Sequence, residues 1–323
     1  MKYLIIGAGG TGGVVGFHMA QAGKDVTLIA RDAHLESIQQ KGLTLQTMWD
    51  ENTKTIPVKA SDMQHYKDRP DVILVCVKGY SLDGIYEFIC RIAKPQTIVI
   101  PILNIYGTGA KMQEKLPGML VTDGCIYVSA NIKEPGVILQ HGKILRIFFG
   151  VHQKEEKCQL LEQIQKDFRD SAIDGILSEQ IQRDALEKFS YVSPIGAAGL
   201  YLNATAGDFQ KEGKARELFC TMIREIVALA TAMGFPFEKD MVSVNLQILS
   251  NLPPEATTSM QRDVMAHRPS EVDGLVYEVV RMAHRYQVPV PAYEKVAQKL
   301  QGEIMCEKNS YTEGNVEIKR EEK

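Results

Sequence analysis

The hexapeptide Gly7-Ala8-Gly9-Gly10-Thr11-Gly12 directly follows the β-branched run Lys2–Ile6 and directly precedes the apolar stretch Val14–Ala22. Few short patterns restrict a chain as much, because glycine at these three positions has a physical reason only where strand, tight turn and helix come in that order. Gly7 lets the chain turn, Gly9 lets backbone approach a pyrophosphate, and Gly12 lets the helix pack closely on the strand. The N–H groups at the helix N-terminus, aided by the helix dipole, then hold anionic phosphates. A dinucleotide is the ligand expected for Gly7, Ala8, Gly9, Gly10, Thr11 and Gly12.

The texture that follows agrees with a βαβ beginning. Strand-like runs at Val26–Ala30, Val72–Val77 and Thr97–Ile100 alternate with helical patterns, and their continuous apolar character suits a parallel sheet covered on both faces. Further runs at Met119–Val121, Val137–Gln140 and Ile144–Phe149, with a turn at Pro135-Gly136, are expected to extend the same sheet. A helix over Lys154–Arg169 and a short strand at Gly175–Leu177 complete this half. Beyond it the period is that of helices, at Gln180–Leu200, Ala215–Met233, Lys239–Leu249, Glu271–Tyr286 and Tyr293–Glu307. Gly234-Phe235-Pro236 and Gln287-Val288-Pro289 stop two of them. The reading is an α/β Rossmann-type N-terminal domain, residues 1–180, joined to an all-α C-terminal domain, residues 181–323. The polar tail Asn309–Lys323 reads as a frayed terminus.

Cofactor choice turns on the end of the second strand, which leads into Arg31 where a carboxylate would accept the ribose hydroxyls of NAD. A guanidinium suits the 2′-phosphate of NADP, to which it makes bidentate charge-assisted bonds. Asp32 follows at once and is the ribose ligand if the strand runs one residue longer, so NAD stays open as an alternative. A formal net charge of -3 provides no attraction for nucleic acid or anionic lipid, and no stretch reaches the roughly 20 apolar residues that span a bilayer. A cytoplasmic protein with no membrane or nucleic-acid partner is expected. Six scattered cysteines without a C-x-x-C pair, and seven histidines without ligand spacing, indicate neither a disulfide framework nor a metal site.

Four local features together resemble the ketopantoate reductase family (2-dehydropantoate 2-reductases). They are Gly7–Gly12 with Arg31; Val75-Cys76-Val77-Lys78; Asn104 after Pro101-Ile102-Leu103; and Lys188 with Ser259 and Glu271, the last two separated by twelve residues as in the family. The resemblance runs over nearly the whole chain. It implies an NADPH-binding Rossmann domain and a helical domain, with a 2-oxo acid, ketopantoate, reduced to pantoate in the cleft between them on the way to pantothenate and coenzyme A. It also implies Lys188 as polarising cation and general acid, Glu271 as a group that contacts the cofactor or organises that lysine, Lys78 and Asn104 as cofactor contacts, with Asn104 bridging to substrate, and Ser259 as a hydroxyl partner of the substrate carboxylate. The chemistry is sound from first principles, since hydride addition to a carbonyl leaves an alkoxide that needs a cation and a proton. Taken singly, each residue has an ordinary reading: a solvated helix lysine, a helix-start carboxylate, a loop lysine, a turn asparagine.

The pattern also departs from the family. Asparagines expected four and eight residues after the lysine, and a third in the following loop, are Val192, Gly196 and Ala206, with Asn203 close enough in sequence to replace one of them, and Ile105 stands where the family has glycine. Loss of hydroxyl-pairing amides changes discrimination for that hydroxyl by about 10⁴-fold or more. Two alternatives therefore stand beside ketopantoate reduction: reduction of a different, more apolar 2-oxo acid, and a dinucleotide-binding sensor without catalysis. A homodimer is compatible with the long amphipathic helices.

Overall fold

The computed structural model describes residues 1–302. Cys306, the end of the expected Tyr293–Glu307 helix and the Asn309–Lys323 tail lie outside the described residues. The chain divides into two units, residues 1–185 and the residues from Leu186 on.

The first unit opens with β1 (Lys2–Ile6), α1 (Gly10–Gln21), β2 (Asp25–Ile29) and α2 (Asp32–Lys41). Three strands follow, β3 (Leu43–Thr47), β4 (Thr53–Ile56) and β5 (Lys59–Ser61). Next come β6 (Val72–Val75), α3 (Tyr86–Ile92), β7 (Ile98–Pro101), α4 (Thr108–Lys115) and β8 (Leu120–Val121). The unit closes with β9 (Asp123–Tyr127), β10 (Ala130–Glu134), β11 (Val137–Gln140), β12 (Arg146–Gly150), α5 (Gln159–Asp170) and β13 (Asp174–Leu177).

A six-stranded parallel sheet, in the order β5-β2-β1-β6-β7-β8, forms the frame. Alternation along its strands feeds two cores: Tyr3, Ile5, Leu28, Leu74 and Ile100 pack on one face, and Leu4, Ile6, Ile29, Ile73 and Val99 on the other. That is why these strands read as unbroken apolar runs.

The expectation that later runs extend this sheet holds for Leu120–Val121 and fails for the other two. Val137–Gln140 lies in a separate four-stranded sheet, β10-β11-β3-β4, and Arg146–Gly150 in a three-stranded one, β13-β12-β9. β8 is only two residues long, too short an edge to template further pairing, and the turn at Pro135-Gly136 pairs β11 locally with β10 instead. Of the strands that complete that sheet, β3 alternates Leu with Thr and Gln and β4 reads Thr-Lys-Thr-Ile, so they offered little apolar signal. The helix expected from Lys154 is a 3₁₀ turn, Lys154–Glu156, followed by α5.

α6 (Ile181–Leu202) begins in the first unit and continues in the second. The second unit then holds α7 (Ala206–Gln210), α8 (Lys214–Ala232), α9 (Met241–Ser250) and α10 (Ser259–Met265). A π-helical turn (Asp273–Tyr277) runs into α11 (Glu278–Tyr286), and α12 covers 291–302. Helix stops fall where Gly and Pro were read: Gly234 (φ +86°) follows α8, and Gln287 takes a left-handed conformation after α11. Among the described residues no helix is long and apolar enough to cross a membrane, and no cluster of His, Cys, Asp or Glu is arranged to hold a metal ion.

Candidate active site

In the first unit the glycine turn leaves β1 and enters α1, which begins inside the motif at Gly10. The N–H groups of Gly7 and Ala8 both donate to the Ile29 carbonyl at the end of β2, at 3.2 and 3.1 Å. Gly7 holds φ at +101°, a value costly for any other residue. A Cβ on Gly12 would stand 2.0 Å from the Gly7 carbonyl oxygen, so helix and strand approach as closely as the motif requires. Gly9 caps α1 with no side-chain hydrogen bond, and a Cβ there would meet no protein atom within 4 Å. The helix N-terminus thus presents its first N–H groups beside an uncrowded backbone, which fits a pyrophosphate.

Because β1, β2, β6 and β7 are parallel, Arg31, Lys78 and Asn104 lie beyond the same edge of the sheet as the glycine turn. Arg31 is the extended N-cap of α2; its side chain is 91% exposed and forms a 3.8 Å ion pair with Asp32. β2 ends at Ile29, earlier than the longer strand that would make Asp32 the ribose ligand. Lys78 caps a 3₁₀ turn, Gly79–Ser81, and the turn at Gly7 abuts Cys76 and Val77 just before it. Asn104 sits in the segment between β7 and α4. The start of α4 is anchored by buried Asp123, whose Oδ1 accepts from the Gly109 N–H at 3.0 Å and whose Oδ2 lies 3.4 Å from His152 Nδ1. Burial pushes the Asp123 carboxyl above its ordinary range, opposed by His152 and by the N–H groups of Gly109 and Ala110.

In the second unit Lys188 is 8% exposed and Glu271 4% exposed, so neither is a solvated surface charge. Lys188 lies on α6, six residues before Pro194, which has no N–H for the Ser190 carbonyl. Asn245 on α9 replaces that donor: its Nδ2 reaches Ser190 O at 2.9 Å and Ser190 Oγ at 3.0 Å. The Ser190 carbonyl, two residues past the lysine and freed by Pro194, is thereby satisfied. Asn245→Ala leaves a buried carbonyl without this partner, and its expected cost is about 1–3 kcal/mol, read from the urea midpoint.

Ser193 joins α6 to the π-turn that follows Glu271. Its Oγ donates to Leu275 O at 2.6 Å and stands 2.5 Å from Tyr293 OH; since the serine proton is committed, the tyrosine donates to the serine. All of these groups are buried. Glu271 precedes the helical turns, and its carbonyl accepts from Leu275 N–H at 2.9 Å. Ser259 opens α10, which is seated on α6 through two glycines. A Cβ on Gly196 would meet Met260 Cε at 2.8 Å, and one on Gly199 would meet the Gln261 carboxamide. Val192 is half-buried, Ala206 starts α7, and Asn203 sits exposed in a left-handed turn (φ +51°) just past α6. Sequence reasoning missed Asn245, Ser193, Tyr293, Met260 and the Asp123–His152 pair; only Pro194 signalled one of them, by requiring a substitute donor.

The sequence model of the family described as "Ketopantoate reductase PanE/ApbA" matches residues 3–154, and that of its C-terminal part matches residues 180–303. The chain belongs to the ketopantoate reductase family. Among relatives of this family member, "Uncharacterized oxidoreductase YkpB" of Bacillus subtilis is 23% identical, over 93% of this chain and 98% of its own length. The 2-dehydropantoate 2-reductase of Pyrococcus abyssi is 28% identical, over 90% of this chain and 94% of its own. Among solved structures, the ternary structure of D-mandelate dehydrogenase with NADH and anilino(oxo)acetate superposes with a TM-score of 0.82 at 19% identity, over 94% of this chain and 98% of that one. Its likeness is one of fold. The ketopantoate reductase family is one of oxidoreductases.

Proposed function

We propose that this protein is an NADPH-dependent reductase of 2-oxo acids and that ketopantoate, giving pantoate, is its first substrate. The observation that carries the reading is a lysine buried on α6, Lys188, in a chain that also has the Gly7–Gly12 turn and Arg31. A non-catalytic sensor has no use for such a lysine. The backbone N–H groups of the turn hold the pyrophosphate, Arg31 pairs with the 2′-phosphate, and Lys78 and Asn104 make further contacts beyond the same sheet edge. When bound, the nicotinamide supplies a hydride to the 2-oxo carbon. The Lys188 ammonium donates a hydrogen bond to the oxo oxygen, stabilises the negative charge that develops there, and delivers the proton, so that a C–H and an O–H bond form as the C=O π bond breaks. Ser259 donates to the substrate carboxylate, Asn203 contributes an amide to the substrate, and Glu271 orients the lysine or the cofactor.

A second substrate is favoured by Gly196 and Met260. Where the resemblance implies an asparagine, this chain has a glycine whose missing side chain would meet the Met260 methyl. With the buried, apolar Met260 in place of that amide, a 2-oxo acid with a branched or aromatic side chain is favoured over one with a terminal hydroxyl. D-mandelate dehydrogenase, bound in its structure to anilino(oxo)acetate, gives precedent for that class within the fold.

The cofactor assignment has its own test. Arg31→Ala is expected to raise the KM for NADPH by about 10–100-fold while leaving that for NADH nearly unchanged, because the guanidinium serves only the 2′-phosphate. Equal effects on both cofactors would argue against a 2′-phosphate contact.

A further inference from the structure

We propose that His34 is a positioning residue for the dinucleotide-binding turn: its neutral ring braces Ala8 against the β10–β11 hairpin, and protonation of the ring releases the brace. The proposal rests on the reading of Gly7–Gly12 as the cofactor site.

The hydrogen bonds settle the ring's protonation. The Gly136 N–H lies 3.0 Å from His34 Nδ1, and a backbone N–H can only donate, so Nδ1 is the acceptor. Nε2 therefore carries the proton and donates to the Ala8 carbonyl at 2.8 Å. With the Ala8 N–H given to Ile29 O, both backbone groups of the residue between Gly7 and Gly9 are fixed. α2 grips the same hairpin one turn later, where Ser37 Oγ donates to Pro135 O at 2.9 Å. The hairpin also reaches the far side of the turn, since a Cβ on Gly10 would stand 2.3 Å from Ala130 O. Backbone amides bind an anion well only if they are held in place beforehand, and His34 is the one side chain among the described hydrogen bonds that links the turn, α2 and the hairpin.

An imidazolium has two donors and no acceptor, so a protonated His34 loses the Gly136 bond. Burial lowers the pKa of the ring below its ordinary value. A buried ring favours the neutral form, so the brace is present at neutral pH and is lost only as pH falls through the lowered value of the folded ring. Arg31, Asp32 and Glu36 on α2 and Lys133 and Glu134 on the hairpin are exposed; the glycine turn carries no titratable side chain, and His18 lies two turns along α1.

The test is the dissociation constant of NADP⁺, by titration calorimetry, for the native protein and for His34→Ala between about pH 8 and about pH 5.5. The 2′-phosphate titrates near pH 6 and affects both proteins alike, so the ratio of the two constants isolates His34. Expected is about tenfold weaker binding by the variant at the alkaline end, for the loss of two hydrogen bonds, with the ratio falling towards one at the acid end. If His34→Ala does not fold, His34→Gln carries the test, because its carboxamide keeps a donor and an acceptor that do not titrate and should bind better than the native protein as pH falls. A ratio that stays constant with pH, or stays at one throughout, overturns the proposal. A native protein that binds neither NADP⁺ nor NAD⁺ at any pH overturns instead the cofactor reading beneath it.

Discussion

Lys188→Ala should lower kcat for NADPH-dependent 2-oxo acid reduction by about 10²–10⁴-fold, the range expected when a positioned general acid is removed. The lysine is buried on α6, so the substitution removes the cation and proton donor together while the backbone of the helix is unaffected. The NADPH dissociation constant should stay within about threefold of native, since on this reading the Gly7–Gly12 turn and Arg31 hold the cofactor's phosphates. Lys188→Arg keeps the charge but not the acidity or the shape, and should restore little. A Lys188→Ala protein that retains native kcat would show that another group protonates the oxygen.

The second large effect separates two glycines of one motif. Gly12→Ala places a methyl 2.0 Å from the Gly7 carbonyl oxygen, a backbone atom that cannot step aside without moving the turn. Overpacking of that kind is expected to cost on the order of 3 kcal/mol or more, seen as a lower melting temperature and poor soluble yield. The Cβ of Gly9→Val would meet no protein atom within 4 Å, and the residue keeps an ordinary φ of -70°. Its melting temperature should match the native protein, yet NADP⁺ binding should weaken by about 100-fold or more, because the side chain stands where the pyrophosphate must approach the backbone. Equal stability of the two variants, or undiminished binding by Gly9→Val, would contradict the role given to the turn.

These contrasts show where the sequence was informative. The turn, the parallel strands and the helical second half were legible because each leaves a periodic or positional trace: glycines at required steps, unbroken apolar strands, a 3.6-residue repeat. The two smaller sheets were not: β3, β4 and β10 are short and largely polar, and the pairing that joins the two hairpins of the four-stranded sheet, β3 with β11, links distant parts of the chain. The placement of Val137–Gln140 failed for that reason. Lys188, Glu271 and Ser259 came from family resemblance, and no spacing rule alone would have chosen them among the other charged and hydroxyl residues of the helices. Asn245 and Ser193 answer needs that arise only in three dimensions, the carbonyl freed by Pro194 and the carbonyl of a π-turn. His34 was likewise invisible, because its two partners are backbone atoms 26 residues before it and 102 after.

The central claim is tested most directly by the loss of reduced-nicotinamide absorbance when purified protein and NADPH meet ketopantoate and a panel of other 2-oxo acids, including branched and aromatic ones. Turnover of at least one of them, with NADPH preferred to NADH and activity abolished in Lys188→Ala, is the predicted result; NADPH that binds but is not oxidised by any 2-oxo acid would contradict it.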